Sequence, residues 1–284
     1  MTRLIDLLLY GNFWIAAGAA GMGLQTIWLL TGEVGWSPVV GFLFFSTLFL
    51  YALHRIVGLE KLRAFADQDR FAVAFQFRSH IRLYALLGAI GSLYFFYRFP
   101  WPLRGWTLAP ALLSLGYVVP FLRRRRRLRD LNYLKIFLVA LVWAWATVFL
   151  PAFERSAALA TSAYWMGAER FLYIFAITLP FDIRDLTVDA HAGVGTLPAR
   201  IGVHRSILLA ELLLAGHLAA VWINYQQGAY PLSACWGFGV SALLTGALIY
   251  FSPRFEHDYY FSGLLDGTML LQFGLVWTSQ WWAV

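Results

Sequence analysis

The chain has 284 residues, of which 60% are hydrophobic and only 13% charged, with a formal net charge of +7. A soluble domain carries about 25% charged residues, so this composition excludes a water-soluble enzyme or nucleic-acid-binding module and indicates a polytopic membrane protein. Its single cysteine, Cys235, excludes an intramolecular disulfide framework.

The N-terminal segment carries only Arg3 and Asp6 before the first apolar stretch and shows no clean small-residue cleavage site, so no cleavable signal peptide is expected. A membrane helix needs about 20 mostly apolar residues. On that basis nine spans are expected, near 11–31, 37–54, 83–99, 105–122, 134–153, 161–181, 206–225, 231–251 and 260–282. The fold class is therefore all-α, a single integral membrane domain over 1–284. The sixth span contains Glu169 and Arg170, which either pair or mark a later helix start.

The basic residues orient the spans. Nine spans place Arg3, Arg55, Lys61, Arg63, Arg70, Arg78 and Arg82 on one side. The same side receives Arg123 to Arg127, Arg129, Lys135, Arg184, Arg200, Arg205 and Arg254, for 18 of the 22 Lys and Arg. Only Arg98, Arg104, Arg155 and Arg170 fall on the other. Positive charge stays cytoplasmic, so the N-terminus is expected inside, in a bacterial inner membrane with the larger loops facing the cytoplasm. The excess charge reads as topology and contact with anionic lipid, with the bilayer as partner and no nucleic acid.

The segment Asp182-Ile183-Arg184-Asp185-Leu186-Thr187-Val188-Asp189 follows the sixth span. Carboxylates at i, i+3 and i+7 share one face of a helix about two turns long. Acids gathered at a membrane–water boundary call for a partner, and Mg²⁺ suits one or two carboxylates together with phosphate oxygens. Basic loops after the second and fourth spans complete a surface suited to a polyanionic head on an apolar tail, such as a lipid diphosphate.

Beyond the acids the chain reads Asp189-Ala190-His191-Ala192-Gly193-Val194-Gly195-Thr196-Leu197-Pro198-Ala199-Arg200-Ile201-Gly202. Here it resembles the UbiA superfamily of intramembrane prenyltransferases, whose second aspartate-rich motif is D-x-x-D-x-x-x-D-x-x-x-G-x-x-T-L-P-x-x-x-G. Asp182, Asp185, Asp189, Gly193, Thr196, Leu197, Pro198 and Gly202 fit that pattern. A second match, Tyr117-Val118-Val119-Pro120-Phe121-Leu122-Arg123-Arg124, lies where the family has a tyrosine and a basic pair. The resemblance implies a nine-helix UbiA-like bundle. It also implies that Asp182, Asp185 and Asp189 hold catalytic Mg²⁺, and that Tyr117, Arg123 and Arg124 face the diphosphate. The activity implied is transfer of an isoprenyl group from an allylic prenyl diphosphate to an aromatic or lipid acceptor. Terpene cyclisation on the same scaffold and a non-catalytic lipid-binding homologue are the alternatives.

The family's first motif, N-D-x-x-D-x-x-x-D, is missing. At the end of the second span the chain reads Tyr51-Ala52-Leu53-His54-Arg55-Ile56-Val57-Gly58-Leu59-Glu60-Lys61. Arg55 is a candidate fixed cation in place of a metal, and His54 a candidate hydrogen-bond donor or base. The bland reading is that both cap a helix end or meet lipid headgroups. Asp67 and Asp69 have the wrong spacing to replace the motif and read as surface charges. Asp266, about two turns into the last span, is a candidate polar group of the cavity. Glu211 and His217 are expected to satisfy helix contacts, His191 to be solvated, and Asn132 and Lys135 to line an entrance. Phe44, Tyr51 and Tyr173 are candidate walls for the isoprenyl tail.

Overall fold

A computed structural model describes residues 2–33, 35–58, 78–121, 127–157 and 160–281. All regular structure in them is helical. After a short α1 (Thr2–Tyr10) come α2 (Phe13–Thr31), α3 (Pro38–Gly58), α4 (Arg78–Tyr97) and α5 (Trp101–Val118). Then follow α6 (Leu134–Glu154) and α7 (Thr161–Arg184). Two short helices, α8 (Leu186–His191) and α9 (Leu197–Ile201), precede α10 (Val203–Gln226) and α11 (Leu232–Phe251). The last, α12, opens with a π-helical stretch at Tyr259–Leu265 and continues over Asp266–Thr278. Five of these are long and apolar enough to cross a membrane: α2, α3, α6, α10 and the helix Leu232–Arg254 that contains α11.

Nine long helical segments thus stand, among the described residues, where nine spans were expected. Their boundaries shift for local reasons. The fourth segment begins at Trp101 rather than near 105, because Pro100 as N-cap and Pro102 in the first turn both suit a helix start. It ends at Val118, since Val119 precedes Pro120 and is pushed to an extended conformation (φ −88°, ψ 133°). The sixth runs unbroken from Thr161 to Arg184, so Glu169 and Arg170 do not mark a later start. Both are buried. The Arg170 guanidinium donates to the Thr147 hydroxyl at 2.9 Å and the Met22 carbonyl at 3.2 Å.

The core lies among α2, α6, α7, α10 and α12, with Met22, Ile136, Tyr173, Ala210 and Met269 in its main cluster. Helix α7 packs along α10 and α6, while α4 leans on α3 rather than on α5. The α3–α4 approach depends on Gly88, where a Cβ would sit 2.6 Å from the Phe49 backbone nitrogen.

Helix α6 widens into a π turn at Trp145–Phe149. Such turns free a backbone carbonyl, and here the buried Thr26 hydroxyl donates to the Thr147 carbonyl at 2.8 Å. Both π stretches border the main cavity, through Ala146 and Thr147 in one case and Ser262 in the other.

Candidate functional site

A cavity of about 1160 Å³ opens between α2, α3, α4, α5, α6, α7 and α12. Its body is apolar, with Leu43, Phe96, Ala111 and Val142 among its walls. Leu93 of α4 and Leu108 of α5 also line it and are 57% and 54% exposed, so the apolar body reaches the outer face of the bundle. The other end is charged. Tyr117, His54, Arg55, Arg129, Lys135, Asp182, Arg184, Asp185, Asp189, Asp258 and Asp266 meet there, although they come from five separate stretches of chain.

The acid segment is shaped by its own residues. Helix α7 stops at Arg184, Asp185 takes φ −91° and ψ 9°, and α8 begins at Leu186. The three aspartates therefore straddle a helix break instead of sharing one continuous helical face. Helix α8 closes with Gly193 at φ 67° and a backbone bond from Val194 N–H to the Asp189 carbonyl at 2.9 Å. That left-handed position suits glycine. Next, the Thr196 hydroxyl accepts from Ala199 N–H at 3.3 Å and caps α9, with Pro198 in its first turn. The Gly, Thr and Pro of the sequence motif are thus the residues that turn the chain and hold Asp189 against the cavity.

The carboxylates are taken up by organic cations. The Lys135 ammonium lies 2.7 Å from Asp182 Oδ1 as an ion contact and donates to Asp189 Oδ2 at 3.1 Å. The Lys135 and Asp182 side chains are only 11% and 2% exposed. Arg184 donates to Asp185 Oδ1 at 3.0 Å and, through Nη1, to Asp258 Oδ1 at 3.0 Å. Lys135 is placed by the motif loop itself. Tyr133 N–H donates to the Gly195 carbonyl at 2.9 Å, and Gly195 N–H donates to Asn132 Oδ1 at 2.8 Å.

Opposite this group, Arg129 contacts His54 Nε2 and lies over the Tyr117 ring, its guanidinium carbon 5.5 Å from the centroid. A guanidinium only donates, so His54 Nε2 is the accepting atom in that contact. Arg55 stacks on Tyr10 at 5.5 Å. Asp266 lines the cavity within electrostatic reach of Arg184 and Arg55.

The sequence-predicted residues are therefore partly gathered. Asp182, Asp185, Asp189, His54, Arg55, Tyr117 and Asp266 all border one cavity. Arg123 and Arg124 lie outside the described residues, as do Glu60, Asp67 and Asp69. Of the expected tail walls, Tyr51 borders the cavity. Tyr173 instead lies in the core, with its hydroxyl 3.3 Å from that of Thr245. His191 is exposed at the rim, with Nδ1 2.7 Å from the Thr187 carbonyl. His217 satisfies helix contacts by donating to the Glu169 carbonyl at 3.0 Å. Sequence reasoning missed the roles of Arg129, Arg184 and Asp258, and reduced Lys135 to an entrance residue.

The expected Mg²⁺ site can be tested against this geometry. Magnesium demands several oxygens in near-octahedral array. Asp185 is drawn to Arg184, and the point facing both Asp182 and Asp189 is filled by the Lys135 ammonium. Among the described residues no three His, Cys, Asp or Glu side chains gather to hold an ion. The side chains as arranged fit a resident ammonium there, and not a divalent ion.

No family model matches the chain, and no curated protein matches it significantly. Solved structures do. A UbiA homologue from Archaeoglobus fulgidus bound to GPP and Mg²⁺ superposes with TM-score 0.65 at 13% identity, covering 96% of this chain and 98% of that one. The same homologue bound to DMAPP and Mg²⁺ gives TM-score 0.59 at 15% identity, covering 95% and 98%. A digeranylgeranylglyceryl phosphate synthase structure gives TM-score 0.60 at 12% identity, covering 98% and 97%. Over its described residues the polypeptide thus has the UbiA fold.

Proposed function

We propose that this protein is an intramembrane prenyltransferase that moves an isoprenyl group from an allylic prenyl diphosphate to an aromatic or lipid acceptor. The observation that carries the reading is the two-part cavity. Its charged end sets Arg55, Arg129, Lys135 and Arg184 among Asp182, Asp185, Asp189, Asp258 and Asp266, while its apolar body runs out past Leu93 and Leu108 toward lipid. A diphosphate with a hydrocarbon tail matches both parts at once. The UbiA homologue from Archaeoglobus fulgidus, of the same fold, binds GPP and DMAPP.

In this reading the diphosphate sits among Tyr117, Arg129 and Arg55. The bond from the allylic carbon to oxygen breaks, and the diphosphate leaves with the electron pair. Fixed cations stabilise the charge growing on that oxygen. The acceptor bonds to the allylic carbon and gives up its proton to solvent or to the released diphosphate. Asp182, Asp185 and Asp189 act by holding Lys135 and Arg184 in place. This end of the chain faces the cytoplasm, because 18 of its 22 Lys and Arg fall on that side of the nine-span arrangement.

The test is diphosphate release by purified protein from farnesyl and geranylgeranyl diphosphate, with and without Mg²⁺ and with candidate acceptors. Release that rises with an acceptor supports transfer. A cyclic product without any acceptor would make the protein a cyclase instead. No release from any chain length under either condition would remove both enzymatic readings.

A further inference from the structure

We propose that this protein binds its diphosphate with its own side-chain cations, so that no divalent metal is needed for binding. The inference rests on the prenyl-diphosphate reading above. Three observations carry it, and they come from different helices.

First, the ammonium of Lys135 fills the point that faces both Asp182 and Asp189, at 2.7 and 3.1 Å. A divalent ion bridging those carboxylates would have to displace it. The lysine is not a loose surface group, because the Asn132–Gly195 and Tyr133–Gly195 bonds fix the turn just before it. Second, Asp185 and Asp258 are both bound by Arg184, and Asp130 by Arg127. Third, Arg55 and Arg129 both line the cavity, and among the described residues neither has a carboxylate within ion-pair distance, the acids in electrostatic reach being Asp258 and Asp266 for Arg55 and Asp189, Asp185 and Asp130 for Arg129. Arg129 rests on the Tyr117 ring and against His54, which leaves the rest of its planar fork for an anion. Arginine forks suit paired phosphate oxygens.

These pieces divide the work. Lys135 offsets part of the charge of Asp182 and Asp189, and Arg184 part of that of Asp185 and Asp258, which lowers the repulsion an incoming diphosphate meets. Arg129, on the Tyr117–His54 platform, takes the phosphate oxygens directly. Arg55 supplies positive charge at the place where the sequence lacks the first aspartate motif.

The experiment is a calorimetric titration of the full chain in nanodiscs with geranyl S-thiolodiphosphate, a probe that resists ionisation. It is run in excess EDTA and again in Mg²⁺. The expected result is an affinity that differs by less than about threefold between the two conditions. Arg129→Gln should weaken binding by about tenfold or more in both. Lys135→Met should bind poorly in EDTA and recover with Mg²⁺, because the ion can then enter the vacated place. If Lys135→Met does not yield folded protein, the wild-type comparison and Arg129→Gln still decide the matter. Wild-type binding that appears only with Mg²⁺ would overturn the inference and leave the transferase reading standing. Binding in EDTA that Arg129→Gln does not weaken would overturn the assignment of the cradle. No binding in either condition would overturn the inference together with the reading beneath it.

Discussion

Replacing Lys135 with methionine strands two carboxylates inside the protein. Asp182 and Asp189 side chains are 2% and 10% exposed and share this one ammonium. Removing one partner of a buried ion pair costs about 3–5 kcal/mol, because the remaining charge is left uncompensated. At roughly 2–4 °C per kcal/mol for a chain of this order, the apparent unfolding midpoint should fall by about 6–20 °C. The assay is thermal unfolding in detergent, followed by the fraction that stays monodisperse after heating. Two further measurements separate stranded charge from lost packing. Adding Asp182→Asn and Asp189→Asn to Lys135→Met removes the stranded charge and should recover most of the loss. Magnesium should raise the midpoint of Lys135→Met and leave that of the parent unchanged. The reasoning fails if Lys135→Met unfolds within about 2 °C of the parent, or if the triple variant is no better than the single one.

Three other experiments test the frame around the site and the orientation of the chain. Gly193→Val forces a branched residue into the φ 67° position that closes α8; at about 1–2 kcal/mol it should lower stability modestly and weaken diphosphate binding through Asp189, measured by titration. Arg170→Leu should destabilise by about 1.5–3 kcal/mol, because it removes a buried guanidinium that donates to the Thr147 hydroxyl and the Met22 carbonyl. Adding Glu169→Gln should return part of that loss in a double-mutant cycle of unfolding midpoints. For orientation, single cysteines at the exposed Glu33 and Glu256 in a Cys235→Ser background should differ in intact cells. A membrane-impermeant maleimide should label position 33 and spare position 256 until the cells are opened; the reverse pattern would invert the topology.

Much of the fold was legible because it depends on composition along single segments. Among the described residues a long helical segment stands at each of the nine expected stretches, and the prolines at 100, 102 and 120 explain the shift of the fourth, while the third begins at Arg78 rather than near 83. The acid segment was read as one helical face, and the break at Asp185 and the turn after α8 were not foreseen, although their causes are local. Gly193, Thr196 and Pro198 set its course with bonds to residues at most five positions away. What the sequence did not show was which cation each acid meets. Lys135 and Asp189 are 54 positions apart, and Arg184 and Asp258 are 74 apart. Those pairings depend on how α6, α7 and α12 are rotated about their axes, and hydrophobic periodicity fixes that rotation poorly in helices that are apolar nearly all round. The spacing of Asp182, Asp185 and Asp189 therefore suggested a shared metal, whereas the helix break at Asp185 hands the middle carboxylate to Arg184.

The missing first motif and the kept second motif then have one explanation. Two acid motifs facing each other across a cavity repel unless metals lie between them. Here the second-span end offers Arg55 in place of aspartates, and the start of α6 sends Lys135 between the remaining ones. Arg55 at the second-span end and the inward Lys135 fit one another, since an acid in place of the first or an apolar residue in place of the second would leave more buried carboxylate charge unpaired. If that is so, restoring acids at the second-span end in the parent should harm binding. Arg55→Asp should abolish metal-free binding of the diphosphate probe, and Mg²⁺ should not restore it while Lys135 is present. In the Arg55→Asp, Lys135→Met variant Mg²⁺ should restore binding, because only then do both sides face an open position. Recovery by Mg²⁺ in Arg55→Asp alone would show that Lys135 yields its place to the metal, and the two changes would then be independent.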